Sequence, residues 1–394
     1  MHACNTTRLA GTVALAVSTG AGAYDVNDKL SIGGILAAVG QCQEVSARLP
    51  PETDGEPPGD SVGPPLLDDS MDAFGSECRG GMPFQLAVDY HPDGANELFL
   101  RLGFAVDNGL SSVSPWALVP WAADLEDDVE DINGRGRDYL LAAWYKHTLS
   151  LGQDSTLGAT IGILDSTEYL DENAYANDEY TQFMNEVFVN SGSYGLPSYD
   201  AGAALEWQSG PWSVSAVGMN IGENEDGNNS NFWGAQAGYE ASTSMGTGNY
   251  RVIVAGASSD FLDRTGTREE SRLAWGLSFD QAFGGMVGAF LRLAWQNEDA
   301  AVDYKALYSG GLNLSGSGWG READTIGIGY AYLEGGNGDI DHSQVFETYY
   351  RLGLNDYVGL TADVQYMEDD ITWRDPRQEN PKGWILGMRL TAEF

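Results

Sequence analysis

Residues 383–394 read GWILGMRLTAEF, and their reading decides the fold. Trp384, Leu386, Met388, Leu390, Ala392 and Phe394 share one parity, whereas Gly387, Arg389, Thr391 and Glu393 share the other. A period of two is the signature of a strand with one apolar and one polar face. An edge strand of a soluble sandwich could carry this pattern once. A transmembrane barrel must carry it around a whole ring, apolar toward lipid and polar toward a wet interior.

The pattern does recur. Strands are expected over residues 30–41, 83–90, 97–107, 138–148, 155–164, 200–207, 212–219, 232–240, 250–257, 272–280, 287–296, 302–314, 325–332, 344–354, 357–367 and 383–394. The sum is about sixteen, an even number in the porin range. Connections alternate: short at 208–210, 283–285 and 355–356; long and acidic at 108–137, 165–197, 220–231, 258–271, 335–342 and 368–382. Both chain ends then lie on one rim, with the long loops extracellular and the short turns periplasmic. The expected fold is all-β, a transmembrane antiparallel barrel filling residues 24–394. Trp212, Trp275, Trp295, Tyr332, Tyr366 and Trp384, near strand ends, suit interfacial girdles.

Composition bounds the function. With 58 acidic against 20 basic residues, the chain carries a formal charge of −38 and repels nucleic acid. No apolar run beyond the amino terminus approaches the roughly 18 residues of a membrane helix, so a membrane reading requires a closed barrel. Residues 1–23, with a weakly basic head, an apolar run and Ala21-Gly22-Ala23 before Tyr24, read as a secretory signal peptide. Outer-membrane lipid and lipopolysaccharide are then the expected surroundings. Removal of the leader takes Cys4 and leaves Cys42 and Cys78, an even pair in an exported chain. They are expected to form a disulfide bracketing an extracellular loop over residues 43–82; two free buried thiols are the alternative. The Pro-, Gly- and Asp-rich intervening sequence resists helix or ladder.

Parity assigns the inward side. It places Phe290 and Gln296, the cations Arg101, Lys146, Arg251, Arg272, Arg292, Lys305, Arg351 and Arg389, and Asp303, Glu347, Tyr349, Asp363, Gln365 and Glu393 toward the lumen. Connection 165–197 is too long for an idle link and is expected to fold inward and narrow the channel. A helix around residues 178–189, capped by Asp178 with Phe183 and Val187 on its apolar side, is expected within it. Its carboxylates Glu168, Asp171, Glu172, Asp178 and Glu179 match no calcium-loop spacing, so neither metal nor cofactor is expected. Three histidines remain after the leader, with His147 facing lipid and His91 and His342 in connections, and no nucleophile elbow accompanies them. Catalysis is not expected. Nor is a plug domain, and transport is expected to be passive.

The run from Gly162 through LDSTEYLDENAYANDEYTQFMNEVFVNS, the strand DAGAALEWQ at 200–208 and the terminal GMRLTAEF resemble the carbohydrate-selective (OprB-type) porins of Gram-negative outer membranes. The resemblance spans most of residues 24–394 and is clearest at Asp171-x-Asn173, Asn177-x-Glu179 and Gln182-Phe183. It implies a barrel of about sixteen strands passing glucose-like sugars through a lumen narrowed by loops, with arginine and carboxylate contacts, as monomer or homotrimer. Ile163 stands where the family carries a basic residue, and the proline loop is an addition. On this reading the wall residues Arg101, Arg251, Arg272, Phe290, Arg292, Glu347, Tyr349, Arg351, Asp363 and Arg389 touch solute. Replacing Arg292 and Arg351 with Ala would weaken sugar block without unfolding. A general cation-preferring porin is the competing expectation.

Overall fold

Alternation of large outward and polar inward side chains closes a ring. The structure, a computed structural model, describes residues 23–46, 76–123, 125, 129–372 and 379–394. The expected leader up to residue 22 and the proline loop over residues 47–75 lie outside the described residues. The strands are β1 (Tyr24–Asn27), β2 (Leu30–Ser46), β3 (Glu77–Gly81), β4 (Phe84–Asp93), β5 (Asn96–Phe104), β6 (Leu140–Ser150), β7 (Ser155–Leu164), β8 (Asp200–Ser209) and β9 (Trp212–Ile221). They continue as β10 (Ser230–Thr243), β11 (Gly246–Leu262), β12 (Glu269–Phe283), β13 (Val287–Gln296), β14 (Tyr304–Ser315), β15 (Thr325–Gly335), β16 (Ile340–Gly353), β17 (Val358–Ile371) and β18 (Lys382–Glu393).

From β4 onward each strand pairs antiparallel with the next, and β18 closes the ring on β2, Gly383 opposite Val45 and Glu393 opposite Ile35. Two of these segments are interrupted continuations. On one edge of β2, β4 pairs along Leu30–Leu36 and β3 along Val39–Gln43. On the other, β18 gives way beyond Phe394 to β1, which pairs with Leu30–Ile32. The result is a closed barrel of 16 antiparallel strands.

The terminal strand shows why this ring cannot be a water-soluble sheet. Its apolar row is the exposed one, with Leu386 at 60% and Trp384 at 51%, while Arg389 and Thr391 of the polar row are at 0%. Water would penalise that inversion; hydrocarbon outside and a polar interior favour it. Outward aromatics meet across neighbouring strands near the long-loop rim, Trp275 stacked on Trp295 with ring centres 4.4 Å apart and Trp295 edge-to-face with Tyr308 at 5.9 Å. Toward the other rim Trp212 meets Tyr239 at 4.6 Å and Tyr250 meets Phe279 at 5.5 Å. Among the described residues no helix is long and apolar enough to cross a membrane.

Connections alternate in length with two exceptions: the β14–β15 link over residues 316–324, on the short-turn rim, holds a 3-10 turn pinned by Arg321 and Asp324, and the expected long connection 335–342 is cut to residues 336–339 because β15 and β16 extend into it. Cys42 and Cys78 form the disulfide, directly opposite each other in the β2–β3 ladder. That ladder ends at Gln43 opposite Glu77, and β2 runs on to Ser46 against β18, so strand takes up both ends of the expected loop over residues 43–82. His91 and His342 lie in β4 and β16 rather than in connections. Asp303 falls in the connection before β14, and an irregularity between Tyr304 and Ala306 takes Lys305 out of the inward row to pair with Glu334.

Candidate functional site: the narrowed lumen

Connection 165–197 enters the lumen and lies against the wall. Inward glycines make the seat: a Cβ on Gly329 would come within 2.9 Å of both Phe183 and Phe188, and one on Gly288 within 2.3 Å of Tyr175. Phe183 sits at the centre of an aromatic cluster, 4.7 Å from Phe188, 5.6 Å from Phe290 and 5.1 Å from Tyr349. The expected helix over residues 178–189 reduces to one turn, α1 (Glu186–Val189), capped by Asn185. The Asp178 carboxylate instead accepts from the backbone N–H groups of Tyr180 and Thr181, a local turn that competes with helix.

Wall side chains replace the missing helical ladder. Arg292 donates to Asp171 Oδ1 at 2.8 Å and to the carbonyls of Asp171, Ala176, Phe188 and Val189 at 2.9–3.2 Å. Arg389 donates to the carbonyls of Glu179 (2.6 Å) and Gln182 (2.8 Å). Glu347 accepts from the N–H groups of Met184 (2.6 Å) and Asn185 (3.0 Å). Asn173 donates to the Phe279 carbonyl, and Gln182 both accepts from Asn177 N–H and donates to the Ala174 carbonyl.

This geometry corrects part of the expected site. Phe290, Arg292, Glu347, Tyr349, Asp363 and Arg389 do point inward, but all are buried beneath the loop, not open to solute. Their partners are loop backbone, loop rings or, for Asp363, the Gln365 amide at 3.0 Å. The double replacement of Arg292 and Arg351 therefore tests an anchor together with a lumen residue.

A second set is ion-paired along the wall. Arg101 meets Glu168 at 2.7 Å with the Glu168 carboxylate sealed from solvent, whereas Lys146 with Glu206 at 2.7 Å, Arg251 with Glu172 at 3.9 Å and Arg351 with Glu393 at 3.4 Å stay partly open; Arg251 also lies 2.7 Å from buried Asp280. Arg272 pairs with Glu225. Wall cations thus take up three of the loop's acidic groups, Glu168, Asp171 and Glu172, one by one. Burial pushes all three carboxyls above their usual range, against the pull of the facing arginines. At the short-turn mouth Asp89, His91 and Glu97 place ligand atoms within 4.8 Å of one another, a grouping able to hold a divalent ion.

The sequence reading missed the other inward connection, between β5 and β6. Trp121 is fully buried, Trp116 donates to the Pro381 carbonyl at 3.2 Å, and the Pro120 carbonyl accepts from Gln41 and Gln365. Two tryptophans and Leu118 within an acidic loop were the available signal.

A closed barrel of sixteen strands, narrowed by loops that its own inward side chains hold, defines an outer-membrane porin. The family model of the carbohydrate-selective porin, OprB family, matches residues 250–394. A protein of Aquifex aeolicus (strain VF5), known only as an uncharacterized protein, is 31% identical over 320 residues, 79% of this chain and 84% of its own. The high-pH structure of Pseudomonas putida OprB shares the fold with a TM-score of 0.65 at 15% identity, covering 93% of this chain and 94% of that one. The outer-membrane channel DcaP of Acinetobacter baumannii does so at 0.51 and 9% identity, covering 94% and 99%. Residues 250–394 thus match the carbohydrate-selective porin, OprB family, and the chain as a whole has the barrel fold of bacterial outer-membrane porins, which are channels rather than enzymes.

Proposed function

We propose that this chain is a passive channel for small neutral sugars, glucose-like mono- or oligosaccharides, from the long-loop side, extracellular, to the short-turn side, periplasmic. The observation that carries the reading is the row of mutually compensating pairs along the lumen whose side chains stay partly open to solvent, Lys146–Glu206, Arg251–Glu172 and Arg351–Glu393. Guanidinium groups offer donors and carboxylates acceptors, so a hydroxyl finds both, while paired charges give an ion little net attraction. Delivery follows removal of residues 1–23, and each barrel, alone or in a homotrimer facing lipopolysaccharide, is one pathway.

Liposomes containing the purified protein are expected to swell in glucose and maltose, and sugar is expected to block ion current in planar bilayers. The acidic excess and the Asp89–His91–Glu97 mouth favour the second reading, a general cation-preferring porin. Strong cation selectivity with no block by any sugar would establish that reading and overturn the first.

A further inference from the structure

At the long-loop end, away from those pairs, β9–β12 and the 3-10 turn Gly192–Tyr194 enclose a cavity of about 270 Å³. Its walls include the rings of Tyr194, Phe232 and Phe261, the Arg272 guanidinium, Glu225 and Asn224. The Arg272 guanidinium lies 4.3 Å from the centre of the Phe261 ring, donates to the Ala301 carbonyl at 2.8 Å and pairs with Glu225. Two buried polar atoms of its lining, Arg272 Nε and Tyr194 Oη, have no hydrogen-bond partner among the described residues.

We propose that this cavity is a binding subsite for one pyranose ring of a neutral sugar, occupied before the sugar reaches the narrowed lumen; the proposal rests on the sugar-channel reading above. The volume falls just under the roughly 300–1,000 Å³ of drug-sized sites, the scale of a monosaccharide. Aromatic side chains can cover the apolar face of a pyranose, and the exposed Glu225 carboxylate and the Arg272 guanidinium at the rim offer an acceptor and donors for its hydroxyls. Anionic solutes are disfavoured, because the one cation named here is already paired with Glu225 and Glu223 also borders the space. A bare metal ion gains nothing from three aromatic rings.

The test uses the full protein in planar bilayers and in liposomes, with glucose, maltose and glucose 6-phosphate as probes. Glucose and maltose added on the long-loop side are expected to block current at lower concentration than from the other side. Phe261→Ala, Glu225→Gln and Arg272→Met are each expected to weaken that block at least tenfold. Wild-type melting in detergent and insertion into bilayers identify folded variants, and Glu225→Gln, on an exposed loop residue, decides the matter should Arg272→Met fail to insert. Unchanged block in folded Phe261→Ala and Glu225→Gln, equal block from the two sides, or tighter binding of glucose 6-phosphate than of glucose overturns the subsite. In each of those cases wild-type swelling in glucose still stands for the channel reading, whereas absence of swelling removes the channel reading itself.

Discussion

Arg292 on β13 and Lys146 on β6 occupy equivalent inward positions of the same barrel, yet they do opposite things. Arg292 is fully buried and spends its guanidinium on one carboxylate and four carbonyls of the inserted loop. Lys146 keeps solvent contact and faces a single carboxylate, Glu206. Around β13 and β15–β18 the wall is a socket for the loop; at Lys146 it is largely covered but borders water in part. The difference teaches that inward parity fixes which side a charge is on, whereas the loop fixes whether that charge holds protein or meets solute.

The sharpest break of this comparison is Arg292→Met. It strands the Asp171 carboxylate in a dry site and leaves four carbonyls short of a donor, so a loss of about 3–5 kcal/mol is expected. Thermal unfolding in detergent should fall by several degrees, and single channels should become larger and noisier as the loop leaves its seat. Adding Asp171→Asn should recover part of the loss. Wild-type melting with altered sugar block would mean that Arg292 is a solute residue after all.

The part-open set predicts a milder signature. Lys146→Met removes one partner of a pair whose side chains are 11% and 21% open and which holds no loop backbone, so melting should fall by less than in Arg292→Met. Glu206 is left uncompensated beside the water path, and reversal potentials in a salt gradient should shift toward cations. A stability loss as large as that of Arg292→Met would place Lys146 in the socket, and the distinction between the two walls would fail.

Why the sequence could reveal one half of this arrangement and not the other follows from the range of the forces involved. Lipid acts on every second residue of every strand, so the row Trp384, Leu386, Met388, Leu390 announces its face locally, and the ring with its alternating connections is legible. The socket depends on which stretch of loop lies down on which wall, a contact between residues more than a hundred positions apart, as from Arg292 to Asp171. Nothing near Arg292 in sequence tells it from Arg251, and nothing near Asp178 tells a turn held by side chains from a helix. The inward glycines carried a trace of the answer: Gly288 and Gly329 leave room for Tyr175, Phe183 and Phe188 and would be poor choices for a wall facing only water.

Glu179 stands on the boundary between the two regions and gives the smallest effect. Its carbonyl accepts from the anchor Arg389, while its half-buried carboxyl is pushed up to about 8, by burial first and the neighbouring Asp178 charge second. In a released loop the same carboxyl titrates near 4.5. Between those values the seated loop keeps a proton that the released loop gives up, so seating weakens as pH rises through that interval and levels off above it. Wild-type melting, measured against Glu179→Gln across the interval, should therefore decline where the amide variant does not. Because part of the carboxyl meets water, the slope should be shallow beside the loss in Arg292→Met. Parallel profiles would show that Glu179 ionises freely, which would move this stretch of loop from the socket to the wet surface.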